Sequence, residues 1–430
     1  MNRVLKNTFW IIACKVLQMG LNLVVSMLTA RYLGPGNYGL INYAASIVAF
    51  LVPVMQLGLR STLVQELVNN PEKEGKILGT AVALNVLSAA ACIVGIVSVT
   101  SVINAGETET ILICGLYSIS LLFQATEMIQ YWYQAKLQSK YPSLAMLLSY
   151  VVVSAYKIYL LATGKSVYWF AVSQTLDALL ISVLLFVFYR KMGQQKLSVS
   201  LPLGRQMLSK SRYYIVSGLM VNIFQLTDRM MIKLMIGDVV TGYYSAAVAC
   251  AGISSFVFLA IIDSARPDIL LNKKKDQKAF EEGMANLYCV MIYLSLAQSV
   301  AITVLADPII RLLYGAQYLD SIPILRLVVW YTTFAYLGTV RNIWILAEGR
   351  QKVLWIMNLC GAMANVLLNL ALIPRWGSLG AAAASIVTQF ISNVVMNSML
   401  PETRGCNRLM LMGLDPRRLG HLVGMLRRKK

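Results

Sequence analysis

Stretches of about twenty apolar residues recur roughly a dozen times along this chain. A bilayer's hydrocarbon core takes about 20 such residues to cross as helix. Lipid offers no partners to open backbone groups, so the spanning structures it allows are helices and closed barrels. A barrel would show alternating segments of about ten residues, which this chain lacks. The 430 residues are 58% hydrophobic and 13% charged, against about 25% charged in a soluble domain. The fold class expected is an all-α integral membrane protein.

Twelve spans are predicted, at 8–30, 38–58, 77–103, 110–131, 143–163, 167–189, 211–236, 242–262, 284–306, 322–346, 353–373 and 378–400. Arg3 and Lys6 before the first run resemble a signal peptide. The run Thr8 to Ala30 is too long for a signal h-region, so it reads as an uncleaved first helix. Trp10, Trp132, Trp169 and Trp344 fall near span ends, where indoles anchor at the interface.

The net charge is +19, but its distribution is topological. With both termini cytoplasmic, 27 of the 38 Lys and Arg lie in cytoplasmic segments, 4 on the opposite side and 7 within spans. That asymmetry is what the positive-inside rule predicts, and it removes nucleic acid as the explanation for the charge. A plasma or inner membrane location with both ends inside is expected.

Arg190–Lys210 is the longest polar segment near the middle and divides the spans six and six. The expected organisation is an N-terminal six-helix bundle at 1–189, a cytoplasmic linker at 190–210, a second bundle at 211–400 and a basic cytoplasmic tail at 401–430. Gly34 and Gly39 recur at an offset of 203 as Gly237 and Gly242, and Asn22 meets Gln225 at the same offset. Six spans per half make these parallel pseudo-repeats. The tail, with Arg404, Arg408, Arg417, Arg418 and Arg427 to Lys430, either lies on the anionic leaflet or is disordered.

Ala30-Arg31-Tyr32-Leu33-Gly34-Pro35 followed by Tyr38-Gly39, then Leu57-Gly58 and Asn70-Pro71-Glu72-Lys73, resembles the polysaccharide-transporter family. These are Wzx-type flippases of the multidrug/oligosaccharidyl-lipid/polysaccharide (MOP) superfamily. Asp228-Arg229 in the seventh span, then Gly242-Tyr243-Tyr244 and Ala246-Ala247, fit the same pattern. The resemblance implies two six-helix bundles in a V shape, as in MATE-like transporters. It also implies translocation of a polyprenyl-diphosphate-linked glycan to the outer leaflet for surface polysaccharide biosynthesis. Membrane lipids, the glycan polymerase and its assembly machinery are the implied partners.

A lone charge at mid-span costs about 2.5–3.5 kcal/mol on insertion scales, so the embedded charges are the candidate working groups. Seven are basic and three acidic, a balance that suits an anionic diphosphate. Lys15, Gln18 and Asn22 share one helical face in the first span. They line a cavity, or Lys15 snorkels to the interface. Asn222, Gln225 and Arg229 continue such a face in the seventh span, the alternative for Arg229 being an interhelical ion pair. Arg326 and Arg341 lie about 22 Å apart along the tenth span; they hand an anionic head along or snorkel to opposite interfaces. Arg31, in the first loop, joins these substrate-binding candidates.

The acidic candidates for ion or proton coupling are Glu127, Asp177 and Asp228. Asp177 has Gln174 one turn before it and Lys157 in the preceding span. It pairs structurally, titrates or binds sodium with its neighbours.

Other chemistry is disfavoured. Six of the seven cysteines fall in apolar runs, none is spaced as CxxC, and the lone histidine, His421, is in the tail. The sequence shows no metal cluster, cofactor site or nucleophile–His constellation, so no enzyme is expected. Gly34–Gly39 echoes a P-loop, but Leu40-Ile41 stand where Lys and Ser/Thr belong. A glycan ligase or polymerase needs a large outer loop, and those here reach about fifteen residues. The alternative function is cation-coupled export of organic cations, which favours carboxylates over this basic excess.

Overall fold

The computed structural model describes residues 3–193 and 195–420, with side chains from Leu17 onward except Ser61, Ser217, Phe224 and Lys274. It is 90% helix. The helices are α1 (Arg3–Met55), α2 (Leu59–Asn69), α3 (Glu74–Ile103), α4 (Thr108–Ser118), α5 (Ser120–Thr126), α6 (Gln130–Ala135), α7 (Lys140–Ala162) and α8 (Val167–Met192). They continue as α9 (Leu201–Met235), α10 (Asp238–Ala251), α11 (Ser255–Lys275), α12 (Gln277–Leu313), α13 (Ser321–Ala347), α14 (Lys352–Phe390), a π-helical turn at Ile391–Val395, α15 (Met396–Met399) and α16 (Arg404–Gly413).

Seven of these stretches are long and apolar enough to cross a membrane, or eight when the α10–α11 pair, bent by 42°, counts as one span. Two of the seven are really two spans each. Helix α1 breaks at Gly34 and α14 at Gly377, both in backbone conformations outside the helical region. With the more polar α9 and α13, the described residues supply the twelve segments expected. Leu87, Val94, Val102 and Val304 are largely exposed, as side chains that face lipid must be.

The turns between spans repeat from one half to the other. Gly34 (φ 71°) and Gly237 (φ 127°), the pair at offset 203, both take up a positive φ, which side chains with a Cβ rarely adopt. Positive φ recurs at Gly106 and Gly315, Leu137 and Gly349, and Gly164 and Gly377. Each pair occupies the same inter-span turn in its half.

The chain forms two compact units, Met1–Leu226 and Thr227–Lys430. The division falls inside α9, not in the polar segment 190–210. Residues 201–210 are already helical, and the extended stretch before them is docked on α3. Gly75 and Gly79 make this docking possible, because a Cβ at either would run into the backbone of Lys196 or Ser198. Ser198 N donates to Gly75 O (3.2 Å) and Ser200 N to Thr80 Oγ1 (3.0 Å). Further along, Gly204 meets Thr80 and Leu84, Gly58 meets Ser211, and Gly218 meets Pro53. Lys210 pairs with Glu66 at 2.6 Å, and Asn222 Nδ2 donates to Ala49 O at 2.6 Å. The first 26 residues of α9 therefore belong to the first unit, whose core includes Leu63, Ile77, Trp132, Tyr133, Tyr189 and Met207.

The core of the second unit includes Phe280, Met284, Tyr288, Ile343, Trp344 and Met357, and it absorbs part of the tail. Residues 404–413 were open to two readings, a surface-lying or a disordered tail. They are instead a packed helix. Cys406, Leu409 and Met410 of α16 are buried, and Gly413 lies against Tyr288 of α12. Tyr293 Oη donates to Leu414 O (2.7 Å), and Arg418 reaches Asn286 Oδ1 (2.7 Å). The sequence pattern concealed this because the apolar residues of one helical face alternate with arginines.

Burial, ahead of all other influences, pushes the Cys406 thiol up to about 11. At pH 8 it is therefore protonated as well as covered, and the thiolate is the reactive form. Maleimide should leave Cys406 unmodified at pH 8 in the folded protein and label it once detergent denaturation releases α16. Rapid labelling of folded protein at Cys406, read by peptide mass spectrometry, would contradict the packed tail.

Candidate functional site

The most highly organised polar cluster in the second unit surrounds Asp228, near the end of α9. A carboxylate taken out of water needs hydrogen bonds or a counter-charge, and Asp228 is buried. Four side chains from three directions donate to it. Tyr244 Oη of α10 donates to Oδ2 at 2.6 Å. From α14 before its break, Asn365 Nδ2 and Asn369 Nδ2 donate to Oδ1 at 3.0 and 2.6 Å. From α14 after the break, Ser385 Oγ donates to Oδ2. Asn365 and Asn369 are one turn apart and so share a helical face. The break at Gly377 lets the two arms of α14 both present groups to Asp228, while Gly380 passes so close to Leu372 that a Cβ would strike its carbonyl.

The cluster surrounds one carboxyl group with neutral oxygens and amides. Asn369 Oδ1 is buried with no hydrogen-bond partner, as is Thr388 Oγ1 one turn beyond Ser385. Buried acceptors without donors are rare and call for an occupant. Turning the Asn369 amide over would aim Oδ1 at the carboxylate's position, where it would assist a cation or a protonated acid. A single carboxylate with neutral oxygens matches a proton or a hard monovalent cation.

The other sequence candidates are placed as follows. Arg229 is half-buried and its Nε has no acceptor among the described residues. Asn222 bonds Ala49 O, and Gln225 is exposed. Lys233, one of the basic residues within the spans, is buried and pairs with Asp238 at 2.8 Å across the Gly237 turn. Arg326 is exposed on α13, whereas Arg341 on the same helix is buried and donates to Ser392 O at 2.8 Å.

In the first unit, Lys15 lies outside the described side chains. Gln18 is half-buried, and Asn22 Oδ1 accepts from Tyr150 Oη at 2.8 Å. Arg31 is exposed and has interactions of its own. Asp177 accepts from Ser149 Oγ at 2.6 Å. Lys157 forms no ion pair with it among the described residues. Tyr117 Oη donates to Gln174 Oε1 (3.3 Å), and Thr126 and Ser182 hydroxyls meet. Glu127 is half-buried in a 3-10 turn, Glu127–Ile129, that interrupts the fourth span between α5 and α6. Asp228 and Asp177 are thus in separate units.

Sequence reasoning passed over Tyr244, Asn365, Asn369 and Ser385 as partners of Asp228. The Asn365–Asn369 pair was the available signal, two amides on one face of an apolar span. Ser385 follows Gly380 and four alanines, a run of small residues that by itself points to close helix packing.

A family described as "Polysaccharide biosynthesis protein" matches residues 4–267, more than half of the chain. The chain belongs to this family. Among its relatives is the capsular polysaccharide biosynthesis protein CapF of Staphylococcus aureus, 19% identical over 400 residues, covering 90% of this chain and 97% of CapF. The fold is that of MOP-superfamily transporters. The lipid II flippase MurJ, in an inward closed conformation, superposes with a TM-score of 0.74 at 15% identity, covering 94% of this chain and 90% of MurJ. An inward-facing multidrug resistance MATE family transporter gives 0.69 at 13% identity, covering 92% and 95%. The chain is a multi-pass membrane protein, and these neighbours are transporters.

A hydrogen bond to a charged group is worth about 1.5–3 kcal/mol. Tyr244→Phe and Asn369→Leu should therefore each lower stability by about that amount. Combined, they should lose less or more than the sum, because they share one carboxylate. Thermal unfolding in detergent checks this. Strict additivity with losses near zero would mean that Asp228 does not depend on these donors.

Proposed function

We propose that this protein is a flippase that moves polyprenyl-diphosphate-linked oligosaccharide repeat units from the cytoplasmic to the outer leaflet, by alternating access coupled to a proton or monovalent cation at Asp228. It would sit in the plasma or inner membrane with both termini in the cytoplasm and deliver its cargo to the glycan polymerase and assembly machinery.

The observation that carries this reading is the charge balance inside the membrane, taken with membership of a polysaccharide biosynthesis family. Seven basic residues stand against three acidic ones within the spans, and with Lys233 neutralised by Asp238 the six that remain still favour an anionic cargo. The fold is shared with a multidrug resistance MATE family transporter, so fold alone does not choose between cargoes, and this balance supports the anionic one. A sugar head and diphosphate cannot cross hydrocarbon unaided, while the polyprenyl tail can remain in lipid. Arginine's planar fork suits the diphosphate. Arg229, half-buried with a donor to spare, is the residue of unit 2 best suited to that task. Lys15, Gln18, Asn22 and Arg31 are the corresponding proposals in unit 1, and Arg326 a further one on α13.

Asp228 is adjacent to Arg229 on α9, so the two point about 100° apart and do not face one another. One side of the helix then serves the cargo and the other the coupling ion. Asp177 and Glu127 are secondary coupling proposals, because neither has a comparable set of donors among the described residues.

Reconstitution with a fluorescently labelled polyprenyl-diphosphate glycan tests the reading. Wild-type vesicles should bring the label to the opposite leaflet, faster under an imposed sodium or pH gradient. Arg229→Ala should slow this by about tenfold, equivalent to 1.36 kcal/mol at the barrier. Asp228→Asn should flip without responding to either gradient. Flipping no faster than in protein-free vesicles would overturn the proposal.

A further inference from the structure

Arg341 is a buried cation without a counter-ion. Its residue is 3% exposed. Nη1 donates to Ser392 O (2.8 Å) and Nη2 to Asn342 Oδ1 (3.2 Å), and both acceptors are neutral. Nε has no partner, and among the described residues no carboxylate pairs with the guanidinium. A charge held this way in the membrane is expensive and marks function by default.

Its position is informative. Span 12 carries a buried polar stripe at Ser385, Thr388, Ser392, Asn393 and Asn397. Ser385, Thr388 and Ser392 follow one another at three and four residues and so share a face; Asn393, adjacent to Ser392, and Asn397, one turn on, carry the polar row forward beside it. The stripe begins at the Asp228 cluster, through Ser385, and ends where Asn397 O accepts from Thr403 Oγ1 (3.1 Å), before α16. Thr388 Oγ1 and Asn397 Oδ1 are both buried and unpartnered, polar groups of the kind that bridging water satisfies. Arg341 engages the stripe at its middle. Ser392 lies seven residues from Ser385, about 10 Å along the helix. It belongs to the π-helical turn Ile391–Val395, a deviation that recurs at functional sites.

Filled by water, such a stripe would offer the coupling ion a second door. An ion that can leave by two doors is not coupled to the cargo. A fixed positive charge on such a path excludes cations, as an arginine does in selective pores. We infer that Arg341 is an electrostatic plug: its unneutralised guanidinium closes the span 12 stripe to cations, so that the ion at Asp228 exchanges only along the transport path. This rests on the proposed ion coupling at Asp228. It gives Arg341 a role distinct from contact with cargo.

The test is ion leak through proteoliposomes of the full chain without glycan, with sodium flux followed by radiotracer and proton flux by a pH-sensitive dye. The most telling variant is Asn342→Asp. It is isosteric, keeps the hydrogen bond to Nη2 and neutralises Arg341. It should raise the leak of the coupling ion about tenfold or more by removing the electrostatic barrier. Arg341→Gln should do the same and Arg341→Lys should not. Adding Asp228→Asn to Asn342→Asp should return the leak to background. If Asn342→Asp is folded, by wild-type melting behaviour, and its leak of both ions stays at background, the plug is overturned. In that case the coupling reading still stands, provided sodium or pH alters the melting of wild type and not of Asp228→Asn. If neither ion has an Asp228-dependent effect on wild-type melting, the coupling reading fails and takes the plug with it.

Discussion

The hydrogen bonding of Asp228 inside the membrane is the interaction on which the rest of the second unit is arranged. A carboxylate taken out of water needs hydrogen bonds made to it. Its four donors come from α10 and both arms of α14, so the site exists only when these helices pack as they do. The break at Gly377 and the close approach at Gly380 are what bring the two arms of α14 to the same carboxylate. The first unit meets its own polar burden differently. Asp177 rests on one serine, and the fourth span is broken into short helical pieces around Glu127.

Helix α9 joins these two regimes along one continuous element. Its first part is stitched to unit 1 by glycine contacts, by Lys210–Glu66 and by Asn222 on Ala49. Its last turns carry Asp228 and Arg229. Arg341 fits the same economy of charge. It is held by two neutral acceptors, its neighbour Asn342 and, on a polar stripe that starts at Asp228, the carbonyl of Ser392.

Much of the fold was legible in the sequence, because lipid makes the hydropathy signal of a spanning helix strong and leaves helix as its main solution. The offset of 203 between Gly34 and Gly237 was also legible, and both prove to hold positive φ. The start of α9 at Leu201 was not, since it depends on Gly75 and Gly79 admitting the preceding strand of chain, a contact between distant residues. Nor was the packing of α16, where Cys406, Leu409 and Met410 are masked by neighbouring arginines. The partners of Asp228 were hidden for a related reason. Asn365, Asn369 and Ser385 could be seen to be polar, but which helix they face is a tertiary property. The same reason separates Arg326 from Arg341, alike in sequence, one exposed and one buried.

The central claim, that this chain moves lipid-linked glycan across the membrane, is most directly tested in cells with no second flippase of the same specificity. Depleting the protein should leave lipid-linked repeat units accumulating on the cytoplasmic face, where an impermeant oxidant added to spheroplasts does not reach their sugars. Normal surface polysaccharide without such accumulation would contradict the account.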